Sequence, residues 1–342
     1  MKTLAFHHEA AQKRTIRFKS RTMSLGLCTL VFGSTAAALG QPVITSQVSV
    51  PMFYRVRGTT NNSVPSGMAL IPAGPFVMGD TFGEGGALPL HTNQISAFYM
   101  DKFDVTKALF DSVYSWATNH SYSFDYGALG KATNHPAHSM TWYDAVKWCN
   151  ARSEQQGRVP AYYTDAAQTT VYRTGQTNVQ NDWVKWSSGY RLPTEAEWEK
   201  AARGGLSGQR FPWGDTISWG QANYQASPGG WDVNATSGFN PAWTGGGTPY
   251  TTVVGTFAAN GYGLYDMAGN VWQWCWDWSD GGYYIFSPGT DPRGPVSGSY
   301  RVDRGGCWFD YASSCRAAYR NFDSPDYVIN LIGFRSVLPS GQ

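Results

Sequence analysis

The chain has 342 residues, 42 % of them hydrophobic and only 15 % charged, and this balance excludes a disordered protein. Aromatic residues, which are counted among the hydrophobic ones, make up 15 % of the chain, and 39 glycines are present, which favours short strands and many turns over a helical bundle. Six basic residues and one acidic residue precede residue 40, and without them the net charge falls from +2 to −3. Because no basic surface remains to neutralise phosphates, the composition argues against nucleic-acid binding.

The N-terminus has the pattern of an export signal. A basic stretch is followed by an apolar run from Leu25 to Leu39, which is short for a membrane span. The small residues Ala38 and Gly40 predict cleavage after Gly40, so residues 1–40 are interpreted as a signal peptide, with a short membrane anchor as the alternative. The mature chain is therefore expected to be secreted or periplasmic and to lack a membrane span.

Short strands are predicted in the first part of the mature chain. Residues 41–66 are interpreted as a linker that contains one strand, from Val48 to Val56. Two apolar runs, Met68 to Ile71 and Phe76 to Met78, are separated by proline and glycine and predict a hairpin. A further strand is predicted from Phe98 to Phe103.

Three helices are predicted from apolar spacing and from capping signals. The segment from Val105 to Trp116 has helical spacing along one apolar face. Thr141 can cap the second helix, and Thr194 with Glu197 forms a capping box for the third, which ends at Gly204.

The acidic residues of the third helix resemble acid–base catalysts only superficially. Glu197 is explained by its capping role, and Glu195 and Glu199 are expected to be exposed to solvent. No catalytic role is therefore assigned to these three carboxylates.

Little helix is predicted after residue 206, and three strands are expected there, at Val271–Trp276, Tyr300–Val302 and Gly333–Val337. Four tryptophans alternate with other residues around the first of these strands and would share one face: Trp272, Trp274, Trp276 and Trp278. A buried core is the default interpretation of that face, and an exposed surface that binds peptide or glycan is the alternative.

Several motifs in fixed order add up to a family resemblance. They are Gly67–Gly79, Asn134–Pro136, Thr141–Ala145, Tyr190–Gly205, Pro212–Gly214, Asn260–Trp274, Arg304–Gly306 and Gly333–Arg335. Together they resemble the formylglycine-generating enzyme family, also called sulfatase-modifying factors, over about residues 66–338. The resemblance implies one α+β domain, residues 67–338, with a variant C-type-lectin-like fold that is low in regular secondary structure, followed by a tail at residues 339–342.

The resemblance also implies a possible activity. The aerobic enzymes of the family oxidise a cysteine in an unfolded sulfatase segment to formylglycine, using oxygen and copper held by two cysteines. Soft Cu(I) favours such a thiolate pair. Counting forward from Gly305-Gly306 places the pair on Asp310 and Cys315, whereas counting back from Gly333-Phe334-Arg335 places it on Cys307 and Ala312. Neither register supplies both cysteines.

Two functions therefore remain open. The first is an exported, catalytically degenerate accessory protein that recognises a peptide or glycan through a groove near Trp272, Asp310 and Arg316. The second is an oxidoreductase that acts on a sulfatase peptide segment, with Cys315 and Cys307 holding copper in an unusual arrangement. The first is preferred, because a lone thiolate beside a carboxylate is a poor Cu(I) site.

Four cysteines remain after the predicted cleavage, and an even number in an oxidising compartment suggests disulfides. The resemblance implies that Cys315 pairs with Cys149, whose family counterpart is a disulfide-bonded helix cysteine. For Cys275 and Cys307 three states are open, namely a second disulfide, buried free thiols or a metal site.

The resemblance further implies calcium. One site would take the Asp266 side chain, the Gly269 and Val271 carbonyls and the carboxamide of Gln273, where the family normally has Glu, so that one charge is lost. A plain turn in which Asp266 caps amides is the alternative. A second site is matched only in part, by Asn223 and the Tyr224 carbonyl.

The His-x-x-His formed by His135 and His138 is interpreted as structural, because Pro136 interrupts any helix that would align the rings.

Overall fold

The computed structural model describes residues 64–82 and 86–341. The predicted signal peptide and the predicted strand from Val48 to Val56 lie outside these residues. All described residues belong to one compact unit, Thr59–Gln342. Within the described part, no helix combines the length and the apolar character needed to cross a membrane.

Regular structure is sparse and mixed, as the α+β prediction requires. The strands are β1 (Met68–Ile71), β2 (Gly74–Met78), β3 (His91–Ile95), β4 (Phe98–Asp101), β5 (Gln225–Ala226), β6 (Gly238–Phe239), β7 (Trp272–Trp278), β8 (Arg301–Arg304), β9 (Arg320–Asp323), β10 (Ile332–Gly333) and β11 (Val337–Pro339). The helices are α1 (Lys107–Thr118), α2 (Trp142–Gln155), α3 (Glu195–Arg203) and α4 (Tyr283–Phe286), with short 3₁₀ turns at Asn181–Trp183 and Ala312–Cys315. Long irregular connections join these elements.

The strands form two main sheets and two short ribbons. One sheet has the order β1-β4-β11 and the other β10-β7-β8-β9, while β2 pairs with β3 and β5 with β6. The predicted hairpin of β1 with β2 is wrong. Ile71 of β1 lies opposite Phe98 of β4, and Met78 of β2 lies opposite His91 of β3. The reason is burial, because every residue of β4 is buried between β1 and β11.

The second and third helices begin where the capping signals predict. The Thr141 hydroxyl accepts the Asp144 amide at 3.0 Å, and the Thr194 hydroxyl accepts the Glu197 amide at 3.2 Å. Both capping boxes are complete. Gly204 ends α3 in the left-handed region at φ +57°, where glycine carries no steric cost.

The first helix differs from its predicted span and face. Thr106 caps it, so the helix starts at Lys107 rather than at Val105. Its buried residues are Phe110, Val113 and Ala117, and the helix is therefore rotated relative to the predicted apolar face.

Glu195 and Glu199 are buried, which corrects the prediction that they face solvent. Glu199 accepts hydrogen bonds from Arg203 at 2.8 Å and from Arg304 at 2.5 Å, and Glu195 pairs with Arg320. Burial alone would raise the pKa of Glu199, but the two guanidinium groups outweigh burial and hold that pKa below its usual value. The carboxylates of α3 therefore belong to a structural ion network.

The tryptophan-rich strand lies in the core, as the default interpretation expected. All seven residues of β7 are buried, and Trp272, Trp274 and Trp276 pack in one hydrophobic cluster with α1 and α2. Cys275, which points to the other face, packs in a second cluster with α3. The predicted strand Gly333–Val337 is split into β10 and β11.

We expect Glu199→Gln to destabilise the fold by about 3–5 kcal/mol, because it leaves the buried Arg203 guanidinium without a countercharge and leaves Arg304 with only its longer pair to Glu195 at 3.7 Å. Urea-induced unfolding measures this change. The matched control is Asp111→Asn in the partly exposed Lys107–Asp111 pair of α1, where a loss of about 0.5 kcal/mol or less is expected. Equal losses in both variants would contradict a dominant role for the buried network.

Candidate functional site

The loop after β8 brings two cysteines into the same region. Arg304, at the end of β8, donates to the backbone carbonyls of Ala317, Ala318 and Tyr319 and so fixes the far end of this loop. Gly306 has φ +74°, and a Cβ atom there would lie 2.8 Å from the Cys315 sulfur. Glycine at this position therefore permits the close approach of the two chain segments.

Cys307 is engaged with Asp310 through its thiol. The Cys307 Sγ donates to Asp310 Oδ2 at 2.9 Å, and the side chain of Trp272 also hydrogen-bonds to Asp310. Burial, followed by the Asp310 carboxylate, raises the pKa of Cys307 well above its usual value, and the same two causes raise the pKa of Cys315. Both sulfurs are therefore protonated thiols at neutral pH.

These residues do not fit the copper pair that the resemblance implies. Cu(I) is bound by thiolates, whereas the first family position holds a carboxylate at Asp310 and the thiol of Cys307 is committed to it. We therefore assign no catalytic step to Cys307 and Cys315.

The predicted disulfides are absent from the described residues. Cys149, Cys275, Cys307 and Cys315 are all buried and free. The pairing of Cys149 with Cys315 is wrong because the two side chains belong to separate hydrophobic clusters. Of the three states left open for Cys275 and Cys307, the structure has buried free thiols, and these two residues also lie in separate clusters.

The predicted groove is only partly formed. Arg316 is 1 % exposed and its guanidinium pairs with Asp80, so its charge stabilises the loop rather than facing an open surface. Trp272 is 5 % exposed and belongs to the core. Asp310 alone among the three predicted groove residues is partly exposed.

Two further carboxylates lie near Asp310 and were missed by the sequence analysis. Asp303 on β8 is fully buried, and Asn321 of β9 donates to its Oδ1 at 2.9 Å, while its Oδ2 has no hydrogen-bond partner. Asp323, two residues further along β9, has its pKa raised to about 6, mainly by burial. Burial raises the pKa of Asp303 as well, and Asp323 and Asp310 add to that effect. The signal that the sequence offered for these carboxylates was an acidic residue within a buried strand.

Aromatic side chains surround the exposed side of the Asp310 loop. Phe239 contacts Tyr250, Trp308 and Phe309, with ring centroids 5.1–5.8 Å apart. The Phe309 side chain is 52 % exposed, and the adjacent Tyr311 is equally exposed. We call Phe239, Tyr250, Trp308 and Phe309 the aromatic rim.

The residues of the first predicted calcium site do not fit a calcium ion. The Gln273 carboxamide oxygen accepts from Trp198 and from Arg335, both at 2.7 Å, and its nitrogen donates to the Asp266 carbonyl. The guanidinium of Arg335 also donates to the Tyr265 carbonyl at 2.8 Å, so a fixed cation already neutralises this turn. Asp266 caps the Gly255 amide at 2.7 Å, which matches the alternative prediction of a plain turn.

The other predicted calcium ligands of this region also lie in segments that hydrogen-bond to other parts of the chain. Gly269 donates its amide to the Gly305 carbonyl, and Val271 directly precedes β7. At the second predicted calcium site, the Asn223 amide donates to the Tyr250 carbonyl, and the Tyr224 carbonyl accepts from an indole. These contacts hold the turn from within the chain, while the Oδ1 atom of Asp266 is buried without a hydrogen-bond partner.

The two histidines of the His-x-x-His have separate polar partners. His135 contacts the Thr251 hydroxyl at 3.0 Å, and His138 contacts the Ser139 hydroxyl at 2.9 Å. Burial lowers the pKa of His138 to about 4, so its ring is neutral at physiological pH. These contacts are those of structural side chains.

Comparison with known proteins identifies the family. A family model described as a sulfatase-modifying factor enzyme 1-like domain matches residues 55–339. The chain belongs to this family. A formylglycine-generating enzyme of Streptomyces coelicolor is 36 % identical, over 79 % of this chain and 88 % of the relative. A chaperone protein, LppX, of Paenibacillus barcinonensis is 32 % identical, over 66 % of this chain and 74 % of the relative.

Solved structures show the same fold. The Treponema denticola variable protein 1 superposes with a TM-score of 0.60 at 28 % identity, over 80 % of this chain and 94 % of that one. CarF superposes with a TM-score of 0.60 at 25 % identity, over 81 % of this chain and 99 % of the other. The predicted α+β fold of the formylglycine-generating enzyme family is therefore confirmed.

We expect Cys149, Cys275, Cys307 and Cys315 all to be alkylated by iodoacetamide in denaturant without any reductant, since none is disulfide-bonded. In the folded protein the same four sites should react slowly, because burial raises the pKa of each thiol. Peptide mass spectrometry measures both results. A peptide pair linked through two of these cysteines would contradict the structure.

Proposed function

We propose that this family member is an exported, non-catalytic accessory protein that binds an extended peptide at the Asp310 loop. The observation that supports this proposal best is the hydrogen bond from the Cys307 thiol to the Asp310 carboxylate, at the position where the family's enzymes hold copper. A protonated thiol beside a carboxylate cannot supply the thiolate pair of the oxidase, yet the surrounding scaffold is retained.

The charge of the site favours a ligand with a basic group. In the described part of the chain, no basic side chain forms an ion pair with Asp303, Asp310 or Asp323. Asp310 and Asp323 are partly exposed, so a lysine or arginine side chain of a bound peptide can reach them. Such a cation would offset the repulsion by which the Asp310 carboxylate adds to the raised pKa values of Asp303 and Asp323.

The aromatic rim favours a ligand that also has apolar surface. Phe309 is the exposed member of the rim, and Phe239 and Tyr250 are partly exposed. Aromatic side chains that are accessible next to polar groups are typical of recognition sites, because they bury large areas at low entropic cost. The name of the LppX relative, a chaperone, gives a precedent in the family for a role that engages another polypeptide. The export of this chain is part of the proposal and rests on the N-terminal sequence pattern.

We expect a flexible fluorescent peptide with a central lysine between aromatic residues to bind more tightly than the same peptide with a central glutamate. Asp310→Asn should weaken binding of the lysine peptide by about fivefold, which corresponds to about 1 kcal/mol. Fluorescence anisotropy measures both constants. Because Asp323 is charged only above about pH 6, binding should also strengthen between about pH 5 and pH 7.5.

The control for that experiment is Asp111→Asn on the outer face of α1, which removes the same charge away from the site and should leave binding unchanged. A hexasaccharide such as cellohexaose serves as the competing ligand class. Tight binding of the oligosaccharide with none of the lysine peptide, or equal binding of the lysine and glutamate peptides, would contradict the proposal.

The second candidate is formylglycine formation on a sulfatase segment, which the identity to named formylglycine-generating enzymes favours. We expect the natural chain to bind Cu(I) weakly and to leave the cysteine of a sulfatase-derived peptide unchanged. Asp310→Cys creates the family spacing with Cys315 and should tighten Cu(I) binding by at least about tenfold. Competition with bicinchoninate measures the affinity, and mass spectrometry measures the peptide.

Asp310→Ser is the matched control, because it removes the carboxylate without adding a thiol. Its Cu(I) affinity should equal that of the natural chain. Conversion of the peptide cysteine by the natural chain with copper and oxygen would overturn the accessory role and establish the oxidase.

A further inference from the structure

A separate cavity of about 600 Å³ lies where β4, the start of α3 and the chain after β11 meet the loop at residues 291–293. Its lining includes Ser96, Trp186, Arg191, Asp291, Pro292 and Arg293. None of these residues contributes to the Asp310 loop or to the aromatic rim. The volume lies within the range of cavities that hold small organic molecules.

Trp186 contacts the two arginine side chains that carry the positive charge of this cavity. The guanidinium carbon of Arg293 lies 4.5 Å from the centre of a Trp186 ring, and that of Arg191 lies 5.1 Å from it. Stacking on an indole holds a guanidinium plane in a defined orientation while leaving its N–H groups free to donate. The cavity thus presents two oriented guanidinium groups.

The two arginines differ in how far their charge is compensated. Arg191 forms two hydrogen bonds of 2.6 Å with the carboxylate of Glu197. Arg191 is only 5 % exposed, and its Nε atom is buried without a hydrogen-bond acceptor. The charge of Arg191 is therefore largely compensated within the chain, and Arg293 is left as the arginine available to a ligand.

Arg293 has no carboxylate in salt-bridge range among the described residues, which end at residue 341. Its acidic neighbour Asp291 has both oxygens engaged, because Ser96 donates to them through its amide and its hydroxyl, each at 2.7 Å. Among the described residues, no acceptor is therefore recorded for the donors of Arg293, which lines the cavity. A guanidinium in this position favours an occupant that carries an oxyanion.

We propose that this cavity binds a small organic oxyanion, either a carboxylate or a phosphate monoester, through the guanidinium of Arg293. Trp186 and Pro339, which are partly exposed, offer apolar surface for the organic part of the ligand. The site lies on residues other than those of the peptide site, so either proposal can fail without the other.

The probes are benzoate, phenyl phosphate and the neutral isostere benzamide, each titrated by ligand-observed NMR into the full mature chain. We expect benzoate or phenyl phosphate to bind at least about tenfold more tightly than benzamide, since only the anions can pair with Arg293. Arg293→Ala should abolish this preference. Arg293→Lys should retain more affinity for phenyl phosphate than for benzoate, because lysine lacks the bidentate fork.

The matched control is Lys185→Ala, which removes one positive charge from an exposed side chain beside Trp186 that does not line the cavity. Arg293 is itself exposed, so its substitution should leave the unfolding midpoint unchanged. Equal binding of benzamide and the anions, equal losses in Arg293→Ala and Lys185→Ala, or binding of no probe would each overturn the proposal. A preference between benzoate and phenyl phosphate in the natural chain identifies which oxyanion the cavity accepts.

Discussion

The buried contact between Glu199 and Arg304 is the constraint on which the candidate site depends. Glu199 is carried by α3 and Arg304 by β8, so their pairing joins a helix to the central sheet in a protein with little regular structure. The remaining N–H groups of Arg304 bind the carbonyls of Ala317, Ala318 and Tyr319. Through this one side chain, the loop that carries Cys307 and Asp310 is anchored at both ends.

Buried arginines serve a general purpose in this fold. Irregular loops leave many carbonyl groups without a strand or helix partner, and a buried carbonyl needs a donor. Arg335 supplies such donors at the turn formed by Tyr265 and Asp266, where the family resemblance implies a calcium ion. A covalently attached cation is always present, whereas an ion has to be acquired. Arg335 therefore supplies at this turn part of the positive charge that the resemblance assigns to an ion.

Local features of the sequence predicted local features of the structure. Thr141, Thr194 and Gly204 mark helix ends because capping depends on neighbours within four residues. The partners of β1 and β2 were not predicted, since strand pairing is decided by burial across distant segments. The burial of Glu199 was missed for the same reason, because its countercharge Arg304 lies 105 residues away along the chain.

At the candidate site, the motif count located the relevant loop but could not define its chemistry. Neither register supplied two cysteines, and the structure adds that the Cys307 thiol is engaged in a hydrogen bond to Asp310. Asp303 and Asp323 join this site only through the pairing of β8 with β9. The cavity at Trp186 had no sequence signal, because its lining comes from segments far apart in the chain.

The separation of the four buried cysteines has a consequence for how this protein is made. Because no cross-link among the described residues holds the native state together, folding needs no thiol-oxidising catalyst and no particular redox potential. The described part of the chain can therefore reach the same native state in a reducing or an oxidising compartment. Under the accessory role proposed above, the protein would bind its peptide in either compartment without a change in its own cross-links.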